Sequence, residues 1–220
     1  MIMKKILLSM MLLIGSAVSY GQTELNDSII EHIVKNERQY FNEITAIYKS
    51  DDPMLHVSDI ALVYYGQAYM PHYNPGKDEN EKLLKRLYEE KRNAEIYNVA
   101  KNILTYNPVS LNALFSIYIA SKELGKSDEE SSSYLKKYQN IVDMICHYGN
   151  GKSCDTAFRI ITPDDQDYIM YGKLQIEDVI SQTLDTETLC NIVSIKPSDK
   201  FPANRIYFDL SLFLSQAERE

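Results

Sequence analysis

Residues 145–162 read ICHYGNGKSCDTAFRIIT and separate two parts of the chain that have different patterns. Before this stretch, apolar residues recur every three or four positions, as they do in amphipathic helices. Within it, Gly149 or Gly151 can adopt the left-handed conformation that ends a helix, and Asn150 tolerates the same conformation. Residues 156–162 are β-branched and bounded by turn residues, which predicts a strand. The sequence therefore predicts a helical part, a glycine junction and a strand-rich part.

The letters GNGKS at this junction resemble the end of a phosphate-binding loop. That motif is G-x-x-x-x-G-K-[ST], and here Cys146 occupies the position of its first glycine. The motif also leaves a strand and enters a helix, whose N-terminus holds the anion. At this junction the predicted order is reversed, with a helix before the loop and a strand after it. We therefore expect a structural junction, with Lys152 near the carbonyl end of the helix, and no nucleotide.

Helical periodicity extends over most of the chain before the junction. Asp51-Asp52-Pro53 interrupts it, because the residue before a proline avoids the helical region. Asn107-Pro108 and Gly125 interrupt it again. The predicted helices cover residues 24–48 as one long or two short helices, 58–70 with Ser58 as N-cap, 82–91, 94–106, 111–124 and 128–147.

After the junction, three further segments look like strands, namely residues 178–184, 189–195 and 205–210. Residues 185–188 can turn the first two into a hairpin. Residues 168–174 are compatible with a strand or with one helical turn. Helices followed by strands, without alternation, predict an α+β fold in which antiparallel helices precede a small C-terminal antiparallel β-sheet. The expected division is 22–148 helical and 149–220 strand-rich, with the second part packed on the helices.

The N-terminus reads as a cleavable signal peptide. Lys4 and Lys5 precede an apolar run over residues 6–18, and small residues follow. The run is shorter than the roughly 20 residues that a membrane-spanning helix needs. We therefore expect residues 1–21 to be removed before Gln22, with no membrane span afterwards and no cysteine positioned for a lipid anchor. The predicted location is periplasmic or secreted.

Composition and spacing argue against several functions. The chain has 23 basic and 31 acidic residues, and its basic residues alternate with acidic ones, so nucleic acid is not an expected partner. The 4 histidines form no H-x-x-x-H pair, and no G-x-S-x-G occurs, so no catalytic residue, metal ligand or cofactor is predicted. Asp164-Asp165-x-Asp167 lacks the spacing of a calcium-binding loop and is expected to be a solvated turn.

The chain has three cysteines, Cys146, Cys154 and Cys190. In an exported protein a well-placed pair of them can form a disulfide. Cys146 and Cys154 flank the GNGKS loop, so a disulfide between them would tie the end of a helix to the start of a strand. Such a link would add about 2 to 3 kcal/mol in the chain-entropy picture. The alternative is three buried free thiols that behave as small hydrophobic groups.

Residues 63–76, VYYGQAYMPHYNPG, concentrate tyrosines in a chain that has no tryptophan. Tyrosine offers a flat apolar face and a hydroxyl, which suits stacking on a sugar or filling a partner's pocket. On this basis Tyr64, Tyr69, His72 and Tyr73 are candidate ligand-binding residues. The alternative is that the tyrosines pack against a neighbouring helix, since Tyr65 and Tyr69 lie four residues apart on one face.

Short stretches of this sequence resemble those of two known protein families. Residues 107–114, NPVSLNAL, followed by Leu124-Gly125 and Tyr134, resemble a tetratricopeptide unit, which implies stacked helices in the segment 22–148. LVYYGQAYMPHYNP, GNGKSCDTAFRII and RIYFDLSL together resemble the exported bacterial family known as domain of unknown function 4919. That family implies organisation and export, and it brings no assigned catalytic residue.

Three functional hypotheses follow. The first is a non-enzymatic protein-interaction or scaffold component of the cell envelope, whose partner is another envelope protein or a peptide. The second is a binding module for glycan or peptide that uses the tyrosine-rich surface. The third is an enzyme of unrecognised type, for which a deep pocket with a titratable pair of shifted pKa would be the sign.

Overall fold

The computed structural model of the protein describes residues 26–50, 55–74 and 76–217. The predicted signal peptide, residues 1–21, lies outside the described residues. Seven longer helices precede the junction in the described part, and most match a predicted segment to within three residues. They are α1 Asp27–Asn36, α2 Arg38–Lys49, α3 Val57–Gly66 with a 3-10 turn Gln67–Tyr69, α4 Glu79–Glu89, α5 Asn93–Tyr106, α6 Leu111–Glu123 and α7 Asp128–Tyr148.

A four-stranded sheet follows the junction, with helical segments before and after its last three strands. The elements are β1 Phe158–Arg159, α8 Asp165–Asp167 continuing into a π-helix Tyr168–Lys173, β2 Val179–Asp185, β3 Cys190–Ile195, β4 Arg205–Asp209 and α9 Ser211–Ala217. The strand order is β1-β4-β3-β2. The α+β prediction is confirmed, with one correction to the sheet. β2, β3 and β4 pair antiparallel as expected, whereas β1 pairs parallel with β4, so the sheet is mixed.

Side-chain caps fix where several helices begin. Ser110 Oγ accepts from Ala113 N at 3.0 Å at the start of α6. Such caps satisfy amides that have no partner within the helix. The predicted cap Ser58 is not the one used. Instead α3 starts one residue earlier, because the Asp59 carboxylate accepts a hydrogen bond from His56 N at 3.0 Å and stabilises the turn there.

The helical and strand-rich parts share one apolar core. Its fully buried members include Val34 on α1, Tyr65 on α3, Ile141 on α7 and Phe208 on β4. A smaller cluster fills the space between α4, α5 and α6. Burying one large apolar side chain contributes about 1.5 to 3 kcal/mol. Residues of the helices and residues of the strands therefore pack together in the same cluster.

The GNGKS junction has the order of elements that its glycines predict. α7 ends at Tyr148, and Gly149 N donates to Ile145 O at 3.0 Å. Gly151 is the residue in the left-handed region, with φ of 66°. Asn150 N and Gly151 N then both donate to Thr156 O, at 2.9 and 2.8 Å. A 3-10 turn, Cys154–Thr156, leads into β1, so the loop connects a helix to a strand.

The first strand is much shorter than predicted, and its backbone contacts explain why. Residues 156–162 were expected to be extended, but only Phe158 and Arg159 pair with β4. The carbonyl of Thr156 is occupied by the junction amides. Farther along, Ile161 N donates to Tyr64 Oη at 3.3 Å. Backbone groups that could have extended the ladder are therefore bonded elsewhere.

Arg159 ties the first helix to the sheet. Its Nη1 donates to Asp27 Oδ1 at 2.6 Å and its Nη2 donates to Asp27 Oδ2, which makes a bidentate pair. Its Nε lies 3.4 Å from Asp209 Oδ2 on β4. The Arg159 side chain is 17% exposed and that of Asp27 is 38% exposed, so solvent screens the pair only in part. This contact fixes α1 against the strands that follow the junction.

Replacing Arg159 with leucine is expected to lower the free energy of unfolding by about 2 kcal/mol. Removing one partner of a fully buried pair costs about 3–5 kcal/mol, and the partial exposure of Asp27 reduces that figure. Urea denaturation followed by circular dichroism measures the change. Arg205→Leu, at an exposed position on β4, is the matched control and should change stability by no more than about 0.5 kcal/mol. Equal losses in the two variants would rule out the anchoring role.

Candidate functional site

A cavity of about 280 Å³ opens between the helical part and the segment after β1. We call it the polar cleft, since most of its lining side chains carry hydrogen-bonding groups. Its volume lies near the lower end of the range of about 300–1,000 Å³ that is usual for small-molecule sites. The lining residues that matter below are Gln67, His72, Tyr73, Glu81, Ser110, Asn112 and Asp165.

Glu81, in the first turn of α4, is a fixed hydrogen-bond acceptor in the polar cleft. Ser110 Oγ donates to its Oε1 at 2.6 Å, and Asn112 Nδ2 donates to its Oε2 at 2.7 Å. Burial raises the pKa of Glu81, and these two donors lower it in part. Because both donors come from the start of α6, the carboxylate is held in one orientation between α4 and α6.

Asp165 is the most buried carboxyl group of the polar cleft. It begins α8 and is 3% exposed. Burial raises its pKa from 3.8 to about 8, while a hydrogen bond from Tyr64 Oη to Asp165 Oδ2, 2.6 Å long, acts in the opposite direction. The charges of Asp164 and Glu81 raise it further. Burial therefore favours the neutral form of this carboxyl group, which can donate as well as accept a hydrogen bond.

Two tyrosines from the helical part hold the backbone of the segment that precedes Asp165. Tyr64 Oη accepts from Ile161 N at 3.3 Å while it donates to Asp165. Tyr73 Oη donates to the carbonyl of Ile161. Burial raises the pKa of both phenols, so both remain protonated donors at neutral pH. The position of Asp165 thus depends on side chains about a hundred residues earlier in the chain.

His72 and Gln67 line the polar cleft next to the end of α5. His72 Nε2 lies 3.0 Å from Tyr106 O and 3.0 Å from Gln67 Nε2. Gln67 Nε2 also donates to Tyr106 O at 3.2 Å. The Tyr106 ring stands at 90° to that of His72, with centroids 6.1 Å apart. Histidine and tyrosine therefore present ring surfaces beside the hydrogen-bonding groups.

The charge of the polar cleft disfavours an anionic ligand. Its lining includes four carboxyl groups and two lysines. Lys85 Nζ, one of the two, already pairs with Asp164 Oδ2 at 2.6 Å. Among the carboxyl groups only Asp165 has a pKa raised to about 8. An anion would therefore lie next to fixed negative charge, whereas a neutral polar ligand would meet well-ordered donors and acceptors.

The four candidate ligand residues from the sequence occupy different surroundings. His72 is exposed and Tyr73 is half-buried, and both line the polar cleft. Tyr64 is fully buried and does not line the polar cleft, but its hydroxyl donates a hydrogen bond to Asp165, which does. Tyr69 is half-buried and packs against the main core. The structure therefore brings His72 and Tyr73 together in one cavity, supported by Tyr64.

Sequence reasoning missed the main polar groups of the polar cleft. Glu81 and Asn112 lie in helix first turns that look like ordinary solvated positions. Asp165 belongs to the acidic run that was interpreted as a solvated turn, whereas its side chain is buried. Among residues 26–50, 55–74 and 76–217, no group of three or more His, Cys, Asp or Glu side chains is arranged to hold a metal ion.

The three cysteines are free thiols in the structure. Cys146 lies on α7 near Lys173, and burial raises its pKa to about 11. Cys154 Sγ accepts from Thr188 Oγ1 at 3.7 Å. Burial, together with the nearby Cys154 thiol, raises the pKa of Cys190. The neighbouring thiols are thus Cys154 and Cys190, rather than the pair Cys146 and Cys154 considered from sequence, because the junction turns Cys154 toward the hairpin of β2 and β3.

Oxidation of the folded chain with oxidised glutathione is expected to link Cys154 to Cys190 and to leave Cys146 reduced. Cys154 and Cys190 are close enough for one thiol to raise the pKa of the other, whereas Cys146 lies near Asp143 and Lys173. An exchange reaction started at one thiol of the close pair can therefore be completed by the other. Alkylation followed by peptide mass spectrometry identifies the linked pair. In a Cys190→Ser variant the intramolecular link should disappear. A peptide joining Cys146 to Cys154 would contradict this assignment.

Comparison with known proteins gives a family and no closer relative. Residues 27–219 match the model of a family described as domain of unknown function (DUF4919). This match confirms the resemblance carried by the junction and by RIYFDLSL. Neither the curated proteins nor the solved structures give a significant match. In the described part of the chain, no helix combines the length and the apolar character that crossing a membrane requires.

Proposed function

The chain belongs to the family of domain of unknown function DUF4919, and we propose that it is a binding module whose polar cleft takes a neutral saccharide. The observation that carries this proposal is the convergence of ordered carboxyl, amide and hydroxyl groups on a cavity of about 280 Å³. We further propose that the chain is exported by its N-terminal signal and acts in the periplasm or outside the cell.

A saccharide suits the polar cleft because each sugar hydroxyl both donates and accepts. Glu81 is an oriented acceptor, since Ser110 and Asn112 hold its two oxygens. Burial raises the pKa of Asp165 to about 8 and so favours its neutral form, which can donate to a sugar hydroxyl. Each carboxylate oxygen has more than one lone pair, so Glu81 can accept from a sugar hydroxyl while Ser110 and Asn112 hold its orientation.

Ring surfaces beside the polar groups support the same class of ligand. His72 and Tyr73 line the cavity, and the Tyr106 ring lies next to His72. Aromatic side chains offer a flat apolar face together with a polar edge. A sugar ring likewise has an apolar face of C–H groups and a rim of hydroxyls. These residues include two of the four that the tyrosine-rich sequence suggested as ligand-binding.

A glycan array probed with the labelled chain, followed by calorimetric titration of the best neutral oligosaccharide, tests the proposal. His72→Ala and Glu81→Gln are each expected to weaken binding at least tenfold. His32→Ala, at an exposed position on α1, is the matched control and should bind as the wild type does. Absence of saccharide binding, or binding that neither cleft variant weakens, would refute the proposal.

The edge of the sheet supports a second candidate, a protein-interaction role in the cell envelope. β2 is an edge strand, and its exposed apolar side chains include Val179, Ile180 and Leu184, which are 40%, 71% and 39% exposed. Asp178 directly precedes the strand and Asp185 ends it, and these acidic residues favour a basic partner. Such an edge can accept an extended segment of another protein as an added strand.

Photo-crosslinking from position 180 tests this second candidate in periplasmic extract. A basic peptide segment of one partner protein should be recovered, and Ile180→Lys should prevent its capture without unfolding the chain. A probe at Tyr88, exposed on α4, is the control. If position 180 yields no crosslink beyond that control, the edge strand is not an interaction site.

A further inference from the structure

A second cavity, of about 360 Å³, lies directly beyond the Lys85 and Asp164 ion pair. We call it the aromatic cavity, because four rings line it, those of Phe115, Tyr138, Tyr168 and Tyr171. Lys85 and Asp164 line both this cavity and the polar cleft. Their side chains are each about half exposed, at 49% and 52%. The two cavities are therefore neighbours separated by one solvent-accessible ion pair.

Three of the rings pack against one another and form a rigid wall. Phe115 on α6 lies 5.5 Å from Tyr138 on α7 and 6.0 Å from Tyr168, measured between ring centroids. The Tyr138 and Tyr168 centroids are 5.9 Å apart. Tyr138 Oη donates to Tyr168 O at 3.1 Å, which fixes the helix that follows α8 against α7. Rings held in this way cost little entropy when a ligand stacks on them.

A hydrogen-bonded chain connects this wall to the polar cleft. Tyr168 Oη donates to Asn112 Oδ1 at 3.1 Å. The amide group of the same Asn112 donates through Nδ2 to Glu81 Oε2 at 2.7 Å. One asparagine therefore sets the position of an aromatic ring in one cavity and of a carboxylate in the other. The two cavities are therefore joined twice, by the hydrogen bonds of Asn112 and by the Lys85 and Asp164 side chains that line both.

The π-helix gives the aromatic cavity its exposed ring. Leu174 N donates to Ile169 O at 3.0 Å, which is the wider spacing of a π-helix. Gly172 leaves room for the Tyr138 hydroxyl, because a Cβ there would lie 2.3 Å from Tyr138 Oη and would displace it. Tyr171 is 50% exposed and lines the cavity. Short π-helical turns occur often at functional sites, where they place a side chain that an α-helix would direct elsewhere.

From this arrangement we infer that the polar cleft and the aromatic cavity are two subsites of one groove for a neutral oligosaccharide of at least two sugar units. This inference rests on the proposed function and names its ligand more closely. One unit occupies the polar cleft. The next passes the Lys85 and Asp164 pair and stacks its C–H face on Tyr171, with the Asp167 carboxylate at the same cavity available to its hydroxyls.

The test is a chain-length series measured by titration calorimetry. The probes are malto-, cello- and chito-oligosaccharides of one to six units. For the type of oligosaccharide that binds, the affinity is measured at each chain length. Wild-type affinity should rise about tenfold from one unit to two or three. Tyr171→Ala should abolish this gain and leave single-unit affinity unchanged. Tyr88→Ala, a tyrosine of similar exposure on α4, is the matched control and should keep the gain.

The outcomes separate this inference from the proposed function. If His72→Ala weakens binding but Tyr171→Ala does not, or if affinity does not depend on length, the aromatic cavity is not a subsite. If none of the saccharides binds, both the inference and the proposed function fail. If extended peptides bind instead, in a manner that depends on Tyr171, the saccharide assignment is wrong. Circular dichroism of each variant confirms that the fold is retained.

Discussion

Replacing Asp165 with asparagine is expected to make the folded chain more stable than wild type at pH 8 to 9, by up to about 5 kcal/mol. Burial raises the pKa of this carboxyl group to about 8, so the folded chain keeps a proton that the unfolded chain releases near pH 4. The folded state therefore binds more protons between these values. Stability from this group is full below about pH 4 and falls as the pH rises to about 8, by at most about 1.4 kcal/mol per pH unit.

Asparagine keeps the shape of the group and still accepts from Tyr64, but it cannot ionise. The difference between wild type and variant should therefore be small at pH 5, grow up to about pH 8 and stay constant above that. Urea denaturation at four or five pH values measures it. Asp164→Asn is the control, because that side chain is half exposed and pairs with Lys85, so its effect should stay near 0.5 kcal/mol. Parallel wild-type and Asp165→Asn curves would mean that Asp165 is already charged at pH 5.

Replacing Gly151 with alanine is expected to lower the free energy of unfolding by about 3 kcal/mol. Its φ of 66° is unfavourable for any residue with a Cβ, at a cost of about 1 kcal/mol. The added Cβ would also lie 2.3 Å from Phe158 Cε2, a buried ring of the core. Overpacking of that kind typically costs a further 1 to 3 kcal/mol.

Gly125→Ala separates the two contributions. Gly125 has the same φ of 66°, but no atom lies within 4 Å of the position that its Cβ would take. The Gly125→Ala variant should therefore lose only the backbone contribution, about 1 kcal/mol of the free energy of unfolding. Denaturation of both variants under one set of conditions gives the difference, which reports the contact between the junction and Phe158. If the two variants lose the same stability, the junction does not pack against the strand as described.

The helices could be predicted from sequence because their signals are local. Apolar residues at three- or four-residue spacing identified them, and Gly125 and Asn107-Pro108 marked ends that the structure reproduces to within one or two residues. The hairpin was equally local. Asp185 Oδ1 accepts from the amides of Glu187 and Thr188, at 3.0 and 3.4 Å, and closes the turn between β2 and β3.

The parts that sequence did not reveal depend on contacts between distant residues. Residues 156–162 have the composition of a strand, but Tyr64 and Tyr73, far away in sequence, bind the backbone of Ile161 and end the ladder. Asp165 looked like a solvated turn because nothing nearby in sequence indicates that Tyr64 and Ile161 enclose it. Tyr171 gave no signal, since the π-helical turn that carries it is bound through Tyr168 O by Tyr138 from another helix.

Hydrogen–deuterium exchange with and without the tightest-binding oligosaccharide shows whether the polar cleft and the aromatic cavity together form the ligand site. We predict slower exchange in peptides that cover residues 78–85, 106–115 and 161–172, and unchanged exchange along β2. Slowing confined to residues 179–185, or no slowing in the three cleft segments at a saturating ligand concentration, would contradict the assignment of this groove.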